Sequence, residues 1–243
     1  MARTPRIATS LQHAAVVVLL AGVALLSSAA RAMAPAAPTQ DLSGVWELRY
    51  DSLSVPAASL TSAAVAATRA MALKDVESRR WCRIGGMPFL MLEAPLLNIR
   101  QSRAEVVIAP QVQAVARHLY TDGVARADLK DFDPATNGYT VARWEGNVLV
   151  AETSGFSDLG IVSIPGGGYR TENSRLVERF RVLEGGKRLS VTSTWTDPGV
   201  FAAPHTYEVR YYRSDAGTRA SAQACDPFEP GREEFFAPAL RAK

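Results

Sequence analysis

Cysteine is scarce in this 243-residue chain, which contains only Cys82 and Cys225. Two cysteines exclude a disulfide-dense scaffold and leave at most one bridge within the chain. An even pair in an exported protein predicts a Cys82–Cys225 disulfide, and two free thiols or a metal-binding pair are the alternatives.

Histidine is equally scarce, with 3 in the whole chain. His118 and His205 are isolated, because neither belongs to an H-x-x-x-H pattern or neighbours a cysteine pair. No G-x-S-x-G elbow occurs, and the glycines at 166–168 are followed by neither a lysine nor a helix pattern. These absences predict no bound metal and no cofactor. The weaker alternative is a metal site in which Glu152 or Asp122 joins the histidines from separate strands.

The first 32 residues instead have the pattern of a secretory signal peptide. Arg3 and Arg6 precede an apolar run at 14–30, and Ala30-Arg31-Ala32 offers an A-x-A cleavage site. No cysteine lies near this site, which argues against a lipoprotein. We therefore predict a periplasmic or secreted protein with no stable membrane anchor after cleavage; an uncleaved anchor is the alternative.

The mature chain also lacks an excess of either charge. The sequence has 27 Lys and Arg against 24 Asp and Glu. Arg3, Arg6 and Arg31 fall in the predicted leader, so 24 basic residues remain against 24 acidic ones. A chain without a basic excess predicts no nucleic-acid partner.

The remaining sequence is organised as a linker at 33–40 and one domain at 41–243. Alanine-rich residues 57–81 have apolar side chains at helical spacing and predict one helix near the N-terminal side. Eight or nine strand-like segments follow or precede it, with turn signals at 102–104, 145–146 and 184–187. The pattern predicts a mainly β fold, a single antiparallel barrel or a sandwich, with an irregular C-terminal wrap after 213.

Two resemblances favour the barrel. The opening "LSGVWELR" resembles the G-x-W start of lipocalins and related calycin barrels, in which the tryptophan (Trp46 here) closes one end of the barrel. The resemblance implies that an arginine of the last strand, Arg210 or Arg213, covers that ring. It also implies a lipocalin-like barrel with room for side chains or one small ligand.

A broader likeness links most of the mature chain to exported bacterial lipocalin-like proteins. It rests on "CRIGGMP" (82–88), "RHLYTDG" (117–123), "ARWEGNVLVAETSGF" (142–156), "LVERFR" (176–181) and "TDPGVF" (196–201). The group usually has aspartate where this chain has Glu152, and a more charged pair than Val124-Ala125. The likeness implies fold and export, and it implies no reaction.

Strand alternation singles out three charged residues on otherwise apolar faces: Glu152, Glu178 and Arg117. An unpaired buried charge is too costly to persist, so such groups are paired, protonated or exposed to a wet cavity. One interpretation is an ion-pair network that joins Arg117 to both glutamates and fixes the strand register.

The other interpretation is a ligand cavity in which Glu152 or Glu178 acts as a general base while Tyr120 or His118 donates a proton. It predicts a lyase or isomerase without cofactor, acting on a small hydrophobic or aromatic molecule. A non-catalytic carrier of such a molecule is the alternative. The predicted ligand-binding residues are Arg117, Asp122, Trp144, Trp195, His205 and Tyr207.

Overall fold

Nine strands close into a barrel in the computed structural model, which describes residues 40–49, 53–83, 85–93, 95–111, 115–123 and 133–219. The strands are β1 Gly44–Leu48, β2 Leu96–Gln101, β3 Glu105–Pro110, β4 Arg117–Tyr120, β5 Tyr139–Glu145, β6 Val148–Ser154, β7 Arg175–Leu183, β8 Arg188–Thr196 and β9 His205–Arg213. The helices are α1 Ser62–Arg80 and α2 Phe89–Leu92. The mainly β barrel with a helix on its N-terminal side is therefore confirmed. The predicted signal peptide, linker residues 33–39 and Cys225 lie outside the described residues, so the disulfide stays a prediction.

Neighbouring strands follow the order of the chain around the barrel, and β1 pairs with β9 to close it. All pairs are antiparallel except β4 with β5, where Leu119 and Thr140 are parallel partners. Directions cannot alternate all the way around a ring with an odd number of strands, so nine strands require a parallel pair. The barrel is therefore mostly antiparallel, with one parallel pair.

Trp46 lies in the hydrophobic core on β1, next to the last strand of the barrel. Its side chain is fully buried, and its Nε1 donates to the carbonyl of Leu42 at 2.9 Å. The Arg213 guanidinium carbon lies 4.1 Å from the centre of the Trp46 ring. Gly44 makes room for this cation, because a Cβ at its φ of +140° would overlap Arg213 Nη1. The arginine that covers the tryptophan is thus Arg213.

Polar contacts cap α1 and attach it to the loop between β6 and β7. Thr61 caps its first turn by accepting from the Ala64 amide at 3.1 Å. The Asp75 carboxylate accepts from the amides of Val162 and Ser163 at 2.7 and 3.0 Å. This attachment differs from the apolar packing that the sequence suggests, since several large apolar side chains of the helix are exposed: Val65, Leu73 and Val76.

The short helix α2 was not expected from the sequence. Its four residues are all apolar, so they show no helical periodicity. Leu90 and Met91 join the hydrophobic core, and the Tyr211 hydroxyl donates to the Met91 carbonyl. The segment therefore contributes to filling the barrel.

Candidate functional site

Arg117 and Glu178 form an ion pair inside the barrel. Their side chains, on β4 and β7, are 1% and 0% exposed. Arg117 Nη2 also donates to Thr153 Oγ1 at 2.9 Å and lies 3.4 Å from Thr140 Oγ1. Three buried polar atoms of this pair have no hydrogen-bond partner among the described residues: Arg117 Nε, Arg117 Nη1 and Glu178 Oε1. The arrangement matches the ion-pair interpretation for these two residues.

Three of the predicted ligand-binding residues are buried in the core: Trp195, His205 and Tyr207. Trp195 is fully buried, and its Nε1 lies 3.3 Å from the Tyr207 hydroxyl. Burial raises the pKa of Tyr207, and the nearby Glu178 charge adds to the effect. His205 Nε2 lies 2.6 Å from the Pro165 carbonyl, which can only accept, so Nε2 carries the proton. These groups pack as core.

Glu152 lies on the outer face of the barrel, not on its interior face. Its side chain is 55% exposed and forms an ion pair with Arg143. It does share a face with Val148 and Val150, but that face is the outer one. Val150 is nevertheless buried, because its partners on both neighbouring strands are arginines, Arg143 and Arg179, whose side chains can lie along it. Because residues on both faces of β6 are buried, the alternation of apolar residues predicted the wrong face for Glu152.

The two other candidates on β4, His118 and Tyr120, also lie on the outer face of the barrel. His118 is half exposed, and its Nδ1 lies 2.9 Å from Glu105 Oε2. Its ring stacks with that of Tyr120, with the centroids 6.1 Å apart. Asp122 is half-buried beyond the end of β4, and Trp144 is half-buried on β5 against the core. The structure thus separates the predicted residues into an inner and an outer group.

A pocket of about 340 Å³ opens on the outer face across β4 to β7. It is lined by Tyr120, Tyr139, Thr140, Val141, Glu152, Thr153, Ser154, Arg175, Leu176 and Val177. Its size lies at the lower end of the range for small-molecule sites. Two of the predicted catalytic residues, Tyr120 and Glu152, therefore line one cavity, whereas Glu178 does not.

Cross-strand register arranges the pocket wall in rows. One row runs Tyr120, Val141, Glu152, Val177, each residue paired with the next on the neighbouring strand. Tyr139 pairs with Ser154 in a second row. Arg175 continues this row, because it precedes Leu176, the partner of Thr153.

Tyr139 and Arg175 were not among the residues predicted from the sequence. Both could have been found from alternation, since Tyr139 shares the outer face of β5 with Val141, and Arg175 shares that of β7 with Val177. Arg170 was not predicted either, and its role is structural. Arg170 is buried, and it donates to the carbonyls of Met87 and Leu159 at 2.7 and 2.6 Å. Burial lowers its pKa to about 10, so it stays charged at neutral pH while it ties these loops together.

Similarity to known proteins adds no assignment. No protein-family model and no curated protein matches this chain. Within the described residues, no three His, Cys, Asp or Glu side chains come close enough together to hold a metal ion. No helix in the same part of the chain is both long and apolar enough to cross a membrane. The pocket is therefore the feature that bears most directly on function.

Proposed function

We propose that this protein binds a small apolar or aromatic molecule in the pocket on the outer face of β4 to β7. The observation that carries the proposal is the 340 Å³ cavity, whose wall combines Tyr120 and Tyr139 with the exposed valines Val141 and Val177. Concave sites with apolar and aromatic walls and a few placed polar groups are typical of ligand pockets. The ligand lies against the barrel wall, not inside the barrel.

The lipocalin-like identity and the export of the chain belong to the same proposal. The closed barrel and the Trp46–Arg213 contact support a lipocalin-like protein. The leader pattern at 1–32 supports a periplasmic or secreted location, and the Cys82–Cys225 pair fits an oxidising compartment. We propose no nucleic-acid partner and no membrane anchor for the mature chain.

Binding of small aromatic molecules to the purified mature protein tests the pocket. Ligand-observed NMR with a panel of single-ring compounds should detect binding. Val177→Trp should abolish it, because the larger side chain fills the cavity. Val115→Trp is the matched control, since Val115 is 57% exposed and does not line the pocket. Absence of binding across the panel, or binding that Val177→Trp leaves intact, would overturn the proposal.

Acid–base chemistry in this pocket is a second candidate, favoured by the presence of Glu152 and Tyr120 on one wall. Glu152 would act as the general base and Tyr120 as the proton donor in a lyase or isomerase reaction without cofactor. Glu152 also forms an ion pair with Arg143 at the edge of this wall. Glu152→Gln should abolish turnover of a bound compound and preserve its binding. A variant that turns over at the original rate would show that Glu152 is not the base, and absence of turnover by the unaltered protein would leave binding as the function.

A further inference from the structure

The charges in the outer pocket are not balanced. Two charged residues line it, Glu152 and Arg175. Glu152 is neutralised by its ion pair with Arg143. Arg175 is exposed, and its guanidinium has no hydrogen bond or ion pair to any described residue. The pocket therefore presents one uncompensated positive charge to a ligand.

The surroundings of Arg175 suit a carboxylate. Ser154 lies beside it on β6 and lines the same pocket, so its hydroxyl can donate to the second oxygen of a bound anion. A planar guanidinium binds a carboxylate through two parallel hydrogen bonds, and such charge-assisted bonds are stronger than neutral ones. Thr196, the partner of Arg175 on β8, adds no opposing charge.

The apolar part of the pocket lies at a defined distance from this cation. Val177 is two residues beyond Arg175 on the same strand, and the rise of a strand places their rows about 7 Å apart. The row of Val177 also contains Val141, the Tyr120 ring and, between the two valines, Glu152, whose carboxylate is paired with Arg143. A ligand that contacts both rows needs a charged group separated by a short linker from an apolar or aromatic body.

We propose that the ligand is a small organic carboxylate with an apolar or aromatic body, and that Arg175 is its anion-binding residue. This inference rests on the proposed function, because it names the ligand class of the same pocket. The carboxylate lies at Ser154 and Arg175, and the body lies over Val141 and Val177 against Tyr120.

Matched pairs of probes separate the charge from the shape. Each pair consists of an arylalkanoate and its neutral primary amide, for example 3-phenylpropanoate and 3-phenylpropanamide. The carboxylate should bind about tenfold more tightly than the amide at low salt, the effect of a charge-assisted hydrogen bond. The preference should shrink at 0.5 M salt, because screening weakens the interaction of exposed charges.

Arg175→Gln should abolish this preference and leave amide binding unchanged. Arg181→Gln is the control, since Arg181 is exposed on the same face of β7 and does not line the pocket. Equal binding of carboxylate and amide to the unaltered protein overturns the inference and leaves the proposed function standing. So does a preference that survives in Arg175→Gln. Failure of every pair to bind overturns both proposals.

Discussion

Arg117 on β4 and Glu178 on β7 form an ion pair across the interior of the barrel, and neither side chain reaches solvent. The pair connects strands that are not neighbours in the sheet. Opposite charges in a low-dielectric interior offset each other's desolvation only while both are present. The pair therefore acts as an internal cross-link whose loss should be felt by the whole fold.

Removal of one partner should destabilise the protein strongly. Arg117→Met leaves Glu178 buried without a counter-charge, and such losses cost about 3–5 kcal/mol of unfolding free energy. The combined variant Arg117→Met/Glu178→Leu should recover much of this loss, because no charge stays buried. Urea unfolding measures both. Arg143→Gln is the control, since it breaks two ion pairs, with Glu145 and Glu152, that are both exposed, and it should change the midpoint little. A double variant no more stable than Arg117→Met would contradict this account.

Gly44 should tolerate no side chain. Its φ of +140° disfavours other residues, and a Cβ would also overlap the Arg213 guanidinium that covers Trp46. Gly44→Ala should lower the unfolding free energy by about 1–3 kcal/mol. Gly217→Ala is the control for backbone strain alone, because Gly217 has a φ of +105° and no atom within 4 Å of the added Cβ. Thermal unfolding should show the larger loss for Gly44→Ala. Equal losses would mean that the crowding at Arg213 is unimportant.

The strands were predictable where turn chemistry marks their ends. The turn at 184–187 contains Gly185 with a positive φ, and it separates β7 from β8 as expected. The parallel β4–β5 pair was not predictable, because it follows from closing a ring of nine strands and not from any local pattern. The helix α2 was missed because four consecutive apolar residues carry no period.

The two glutamates show where alternation works in the candidate site and where it fails. On β7, arginines mark the outer face at 175, 179 and 181, so Glu178 could be assigned to the interior. On β6, four consecutive residues from Val148 to Ala151 are buried, and the strand has no exposed face there from which to judge Glu152. Its position depends on the arginines of neighbouring strands, which the sequence of β6 does not contain.

The disulfide can be tested directly by mass. Cys82 follows the end of α1, and Cys225 lies outside the described residues. Reduction of the native protein should add the mass of two hydrogen atoms. Because the bridge would close a loop spanning most of the domain, Cys82→Ser should lower the unfolding free energy by about 4–5 kcal/mol in the chain-entropy description. A native mass that does not change on reduction would exclude the bridge.

Acidification should weaken the fold partly through Glu208. Hydrogen bonds from Arg210, and a further one from Ser190 at 2.7 Å, hold the pKa of Glu208 below its usual 4.5. A carboxylate whose pKa is lower in the folded state stabilises the protein above its unfolded-state pKa. That stabilisation disappears as the pH falls through the folded-state value.

Glu208→Gln should therefore lower the Tm at pH 7. The loss of unfolding free energy should be less than about 1 kcal/mol, because the ion pair is partly exposed. The difference from the unaltered protein should narrow as the pH falls below 4.5. Thermal unfolding at several pH values measures this. The stability difference between Arg210→Gln and the unaltered protein should narrow in the same way, since this substitution removes the largest cause of the lowered pKa of Glu208. A difference that stays constant on acidification would show that the stabilising effect of Glu208 does not depend on its charge.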